Sequence, residues 1–145
     1  MALSLIIIAV STALFVYWFR YTCVLILRTR SPRDYANQVA KVNRLSFVTA
    51  REQLSILQDR KEALDPLHQS LDRDYRVVSY LLRHAGTQGG QSIEEHMLRV
   101  DYQIMRICYF LAKNFSRSSA AQALLERASI IGHLANVMGE RVALP

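Results

Sequence analysis

Apolar and polar residues follow two different rules along this chain. From Ala2 to Phe19 there is no charged side chain; Arg20 interrupts, and YTCVLIL follows before Arg28 and Arg30. A bilayer core takes about 20 helical residues, so a run of this length predicts one transmembrane helix over residues 1–27. A short placement runs from Leu3 to Phe19, with Tyr17, Trp18 and Tyr21 in the interfacial belt. A long placement, Ala2 to Leu27, would be about 39 Å and would have to tilt or protrude. In the long placement Arg20 snorkels to the headgroups or pairs with a carboxylate of another subunit. The run lacks a positive n-region and exceeds a signal-peptide core, which predicts an anchor rather than a cleaved leader.

After Arg28 the apolar spacing is helical throughout, with no alternating strand pattern. Ser31-Pro32 offers a cap and a first-turn proline, predicting a helix from about Pro32 to Ala63. Its apolar phase shifts between Arg44 and Arg51, which predicts a kink or a change of partner. Asp65-Pro66 repeats the start signal, yet positions 54, 57, 61, 64, 68, 71, 75, 78 and 82 keep one seven-residue register. A kinked continuation and a true turn both fit. Residues 85–91, AGTQGGQ, predict a loop. Ser92 and Glu95 have the spacing of a capping box at the start of the next helix.

That helix runs to about Lys113, with Ile93, Met97, Val100, Ile104, Ile107 and Leu111 as the predicted inward seam. A break at residues 114–118 precedes a last helix, ending near Met138 or Arg141. Its seam is Ala121, Leu124, Ala128, Ile131, Ala135, Met138 and Val142. Alternating four-three spacing is the mark of left-handed bundle packing, and short links favour antiparallel neighbours. The expected fold class is all-α: an N-terminal transmembrane helix followed by an antiparallel bundle of three to four helices. The expected division is an anchor (1–27), a basic juxtamembrane helix segment (28–53) and a cytoplasmic helical bundle (54–145).

Charge sharpens the picture. The net charge is +6, and residues 20–51 hold seven basic side chains against one acid, so they carry all of it. Positive flanks stay cytoplasmic, which places the N-terminus outside the cell (inner) membrane and the C-terminal domain inside. Arg28, Arg30 and Arg33 are the expected contacts to lipid headgroups. Residues 52–145 balance at zero and carry no basic stripe, which argues against nucleic acid. Cys23 and Cys108 form no framework or metal motif, so both read as small apolar thiols.

Candidate chemistry is sparse. Ala128, Gly132, Ala135 and Gly139 form a strip of small side chains on the last helix. An interior glycine costs about 1 kcal/mol relative to alanine, so close approach of another backbone is expected, either from the helix spanning Ile93 to Lys113 or from a docked partner helix. His84 and His96 flank the glycine loop and are a candidate haem or metal pair. His68 lies on a seam, as a hydrogen-bonded core histidine, and His133 on the outer, solvated face. Asp34-Tyr35, Asp74-Tyr75 and Asp101-Tyr102 repeat a dipeptide; Tyr75 is on the seam and Tyr102 off it, which argues against an internal duplication and leaves coincidence or helix-start acids with amphipathic tyrosines. Glu94-Glu95, and Asp72 with Asp74, read as solvated pairs. No phosphate loop, zinc motif or nucleophile elbow is present.

The expected function is therefore non-catalytic: a single-pass subunit or scaffold of a membrane assembly that binds lipid and either other membrane subunits or itself. Arg20, Ala128, Gly132, Ala135 and Gly139 are its expected docking residues. A bundle binding a cofactor through His84 and His96 is the alternative.

Overall fold

A computed structural model describes residues 1–29, 34–56, 64–85 and 92–143. Among them the chain is all-helical, with six helices and no strand: α1 (Ala2–Arg28), α2 (Ala36–Asn43), α3 (Phe47–Ile56), α4 (Leu64–His84), α5 (Ile93–Phe115) and α6 (Arg117–Ala143). The chain divides into two compact units, Met1–Arg30 and Ser31–Pro145.

The first unit is α1 alone. Its 27 residues are long and apolar enough to cross a membrane. Two of its threonines are satisfied within the helix: Thr12 and Thr22 donate to the carbonyls of Ile8 (2.8 Å) and Trp18 (2.9 Å). Tyr17, Trp18 and Tyr21 form one aromatic cluster, with ring centroids 6.1–6.5 Å apart. Arg28 sits in the last turn, where a cation suits the carbonyl end of the helix.

The second unit is organised by α6, which touches α2, α3, α4 and α5. Being contacted on several sides explains why α6 buries more than one stripe: Ala120, Ala123, Ile130 and Leu134 are covered along with the predicted Ala121, Leu124, Ala128, Ile131, Ala135 and Met138. Val142, the last predicted seam residue, is exposed. On α4 the predicted seam is buried at His68, Leu71, Val78 and Leu82.

The phase shift after Arg44 is a break between two helices rather than a kink in one. Arg44 adopts the left-handed conformation (φ 52°, ψ 46°), unusual for a residue with a Cβ. The Leu45 amide still bonds back to the Ala40 carbonyl at 2.9 Å, closing α2. The start of α3 is capped from a distance: the Asp74 carboxylate on α4 accepts the Ser46 amide at 2.6 Å. Asp74 is fully buried, which corrects the reading of it as solvated. Burial pushes its carboxyl above the ordinary range, and the amides of Ser46 and Phe47 oppose that shift.

Pro66 lies in the first turn of α4, where its missing amide costs little. The predicted start at Ser31-Pro32, and residues 86–91 of the loop predicted over 85–91, fall outside the described residues. Ser92 caps α5 as expected, accepting the Glu94 amide at 3.3 Å. Glu95 does not reach back to complete a capping box. It turns inward, is buried, and pairs with Arg141. A single extended residue, Ser116, separates α5 from α6.

The largest correction concerns α5. The predicted seam faces outward: Ile93, Val100, Ile107 and Leu111 are exposed, and Met97 and Ile104 are half-exposed. The buried side is Glu95, Leu98, Asp101, Tyr102, Met105 and Tyr109. This second set also follows three-four spacing, and its tyrosines bring polar tips to the core. Their hydroxyls find partners there, which decides the phase.

Candidate functional site

The strongest concentration of polar chemistry lies where α4, α5 and α6 meet. Arg127, eleven residues into α6, has no exposed side-chain surface. Its Nη2 donates to the Asp72 carboxylate and to the Tyr102 hydroxyl (2.6 Å), and Nη1 donates to His68 Nδ1 at 2.5 Å. The guanidinium carbon also lies 4.6 Å from the centroid of the Tyr102 ring. Tyr102 reaches the Leu71 carbonyl at 3.2 Å and the Asp72 carboxylate at 3.1 Å. One buried cation is thus met by a carboxylate, an imidazole nitrogen, a phenol oxygen and a ring face. That is what a charge needs to be tolerated away from water.

The helices supply these groups by periodicity. Asp65, His68, Asp72 and Tyr75 follow one another on α4 at three- and four-residue intervals, a single helical face. Tyr102 and Tyr109, seven residues apart on α5, stack on that face. Tyr75 and Tyr102 are parallel at 3.8 Å between centroids, and His68 and Tyr109 at 4.6 Å. Two of the three Asp-Tyr dipeptides therefore meet through their tyrosines, and their aspartates, Asp74 and Asp101, are both buried. The match that looked accidental in the sequence reflects two helices using the same pattern at one contact.

A guanidinium can only donate, so His68 Nδ1 must accept and the ring proton sits on Nε2. Nε2 lies 3.6 Å from the second Asp72 oxygen. Burial first, and the Arg127 charge second, hold the His68 pKa below the usual histidine value. Asp65 at the rim accepts from Lys113 Nζ (2.8 and 2.9 Å) and from the Tyr109 hydroxyl (2.9 Å). The Lys113 and Tyr109 hydrogen bonds hold its carboxyl below the ordinary range. Burial pushes the Tyr102 and Tyr109 phenols up.

Beside this network lies an open cleft of about 560 Å³, lined by Asp65, His68, Gln69, Asp72, Arg76 and Phe110. The lining has no Ser, Thr or Cys for a base to activate, and His68 Nδ1 is committed to Arg127. Both lining acids already hold cations. The arrangement joins three helices through one desolvated charge.

The other candidate residues are dispersed. Among the small residues of α6, Ala128, Ala135 and Gly139 are buried and Gly132 is half-buried. The close approach they permit is made within the chain. A Cβ on Gly139 would fall 2.3 Å from the Tyr35 Cβ, and one on Gly132 would meet the Phe47 ring at 3.4 Å. The Tyr35 amide also donates to Asn136 of α6 at 2.7 Å. The two glycines of the strip thus face Tyr35, just before α2, and Phe47, at the start of α3.

His84 is exposed, and its Nδ1 lies 2.8 Å from the Tyr80 carbonyl of its own helix; His96 is exposed on α5. Among the described residues no three His, Cys, Asp or Glu side chains are grouped to hold a metal. His133 is half-buried rather than solvated. It lines a second cleft of about 300 Å³ with Glu94, Glu95, Glu140 and Arg141, and burial lowers its pKa. Arg20 lies half-exposed within α1 and Arg28 is exposed at its end; Arg30 and Arg33 lie outside the described residues.

Arg127 is absent from the sequence reading, which takes Asp72, Asp74 and Glu95 as solvated acids and Tyr102 only as part of a repeated dipeptide. One signal was available for Arg127: it stands among Ala123, Leu124, Ala128, Ile130 and Ile131, where nearly every neighbour is apolar. No family model matches the chain, and comparison with curated proteins and with solved structures finds no significant match.

Proposed function

We propose that this chain is a non-catalytic, single-pass membrane protein whose helical unit serves as an interaction module. The observation that carries the reading is α1. The most apolar stretch of this 27-residue helix has no buried residue. Leaving that much apolar surface in water is costly, at about 25 cal/mol per Å², and a bilayer removes the cost. The arginine-rich stretch after α1 supports an outside N-terminus and a cytoplasmic helical unit, and gives the chain a headgroup-binding collar. The helical unit is read as an antiparallel bundle around α6. Its most elaborate polar site joins its own helices, which supports a scaffold better than a catalyst.

The experiment is expression of the full chain with a C-terminal tag, followed by alkaline extraction and protease treatment of vesicles of known orientation. The expected result is a chain that resists extraction, retains residues 1–28, and exposes its tag on the cytoplasmic side only. A mature chain beginning beyond α1 makes that helix a cleaved signal. An alkali-extractable intact chain removes the anchor. Either result overturns the proposal.

A further inference from the structure

The outward face of α5 has the form of a helix–helix seam. Ile93, Met97, Val100, Ile104, Ile107 and Leu111 are spaced four-three-four-three-four along one side of a 23-residue helix. Ile93 is 79% exposed, Val100 40%, Ile107 61% and Leu111 61%. The inward side of the same helix is already filled by Leu98, Tyr102, Met105 and Tyr109. Phe115, 88% exposed, extends the outward face at its C-terminal end. Exposed apolar surface of a few hundred Å² marks an interaction site, and a standard interface buries about 800 Å² on each side. The stripe is of the size to form the centre of one. Strict alternation of three and four is the repeat that meshes side chains of two helices, so the fitting occupant is itself a helix.

We infer that α5 pairs with α5 of a second copy of this chain through this stripe. The spacing reads the same in both directions. An antiparallel copy sets Ile93 against Leu111, Met97 against Ile107 and Val100 against Ile104; a parallel copy sets each residue against itself. Every layer is apolar in either case. Of the flanking positions Glu94, His96, Asp101, Gln103, Cys108 and Phe110, two carry a formal charge, and Asp101 is buried within its own copy, so a second copy meets Glu94 rather than a ladder of like charge. Residues 52–145, which contain α5, carry no net charge, so the segment that forms the contact adds no net repulsion of its own; the surplus of +6 lies in residues 20–51. The inference deepens the interaction reading above and rests on it for one factor. Two chains anchored in one bilayer meet at a raised effective concentration, which favours a contact of modest area.

The test uses the full-length chain in mild detergent, its protein mass measured by light scattering, beside Ile107→Lys and the charge-matched control Gln122→Lys. The unsubstituted chain and the control are expected at twice 16.6 kDa, and Ile107→Lys at half that mass with its helical circular dichroism intact. A monomeric unsubstituted chain at tens of micromolar overturns the inference, as does a dimer that Ile107→Lys leaves intact. Should Ile107→Lys fail to fold, disulfide trapping decides. In a Cys23→Ala/Cys108→Ala background, Ile107→Cys crosslinks a parallel pair and Met97→Cys/Ile107→Cys an antiparallel one. Absence of both products overturns the pairing. Flotation with phosphatidylglycerol-containing vesicles separates this outcome from the anchor. A chain that floats but stays monomeric ends the pairing alone, and one that pairs but does not float ends the membrane reading alone. A monomer whose flotation is weakened by Ile107→Lys assigns the stripe to the lipid surface instead and overturns the inference.

Discussion

The guanidinium of Arg127, without exposed side-chain surface, donates to the carboxylate of Asp72, a fifth of which remains exposed. The two partners are therefore unequal. Without Asp72 a buried cation loses its counter-charge, whereas without Arg127 the carboxylate still has water and Arg106 within 3.7 Å.

Asp72→Ala is expected to destabilise the fold by roughly 3–5 kcal/mol, the usual cost of stranding a buried charge. Arg127→Met is expected to cost less, because a flexible apolar side chain fills most of the volume. The double variant should lose clearly less than the sum of the two single losses. Urea unfolding of all four proteins gives the coupling, and strict additivity would mean that the pair carries no interaction energy.

Stability is expected to fall as pH drops below about 6.5. His68 and His133 both have folded pKa values lowered by burial. The unfolded chain therefore takes up protons first, at its ordinary histidine pKa. The stability these residues contribute is complete above that pKa and declines as pH falls toward their folded values. Each can add a slope of at most about 1.4 kcal/mol per pH unit. Thermal melts between pH 7.5 and 5 measure it, and His68→Gln should flatten the dependence.

Two glycines on α6 should respond in opposite directions to alanine. At Gly139 the new Cβ meets the Tyr35 Cβ at 2.3 Å and Cγ at 2.9 Å, positions close to backbone that cannot swing aside. Gly139→Ala is expected to cost about 1–3 kcal/mol. At Gly132 the nearest atom is the edge of the Phe47 ring at 3.4 Å. Gly132→Ala should be neutral or gain up to about 1 kcal/mol of helix propensity. Melting temperatures of the two variants test the contrast.

Asp74 separates capping from charge. Asp74→Asn keeps an oxygen for the Ser46 amide and removes a carboxylate that burial disfavours, so it should be close to neutral. Asp74→Ala leaves that amide without its acceptor and should cost about 1–2 kcal/mol. Equal losses in both variants, measured by denaturant titration, would mean that the negative charge itself matters.

Helix class and most breaks were legible in the chain, because they depend on local patterns. The uncharged run of α1, the Ser92 cap and the break at Ser116 each follow from a few neighbouring residues; near Arg44 the sequence showed a phase shift, but not the left-handed turn that ends α2. The seams of α4 and α6 were also legible, since one apolar register dominates each. On α5 two registers compete. The more apolar one, from Ile93 to Leu111, looked like the core and is exposed. The candidate site was legible only at His68. Arg127, Asp72 and Tyr102 each look like surface residues when read one at a time.

Local composition by itself determined that the chain is helical, that its first helix is long and apolar enough to cross a membrane, and that its excess positive charge follows that helix. Tertiary structure alone decided which side of α5 turns inward, that α6 is shared by four helices, and that a charge sits among them. The reason is energetic. An apolar run is favourable wherever it leaves water, but burying Arg127, Tyr102 and Asp74 is tolerable only if matching groups from other helices arrive at the same place. Those matches join residues up to 59 positions apart, and no spacing along a single helix encodes them.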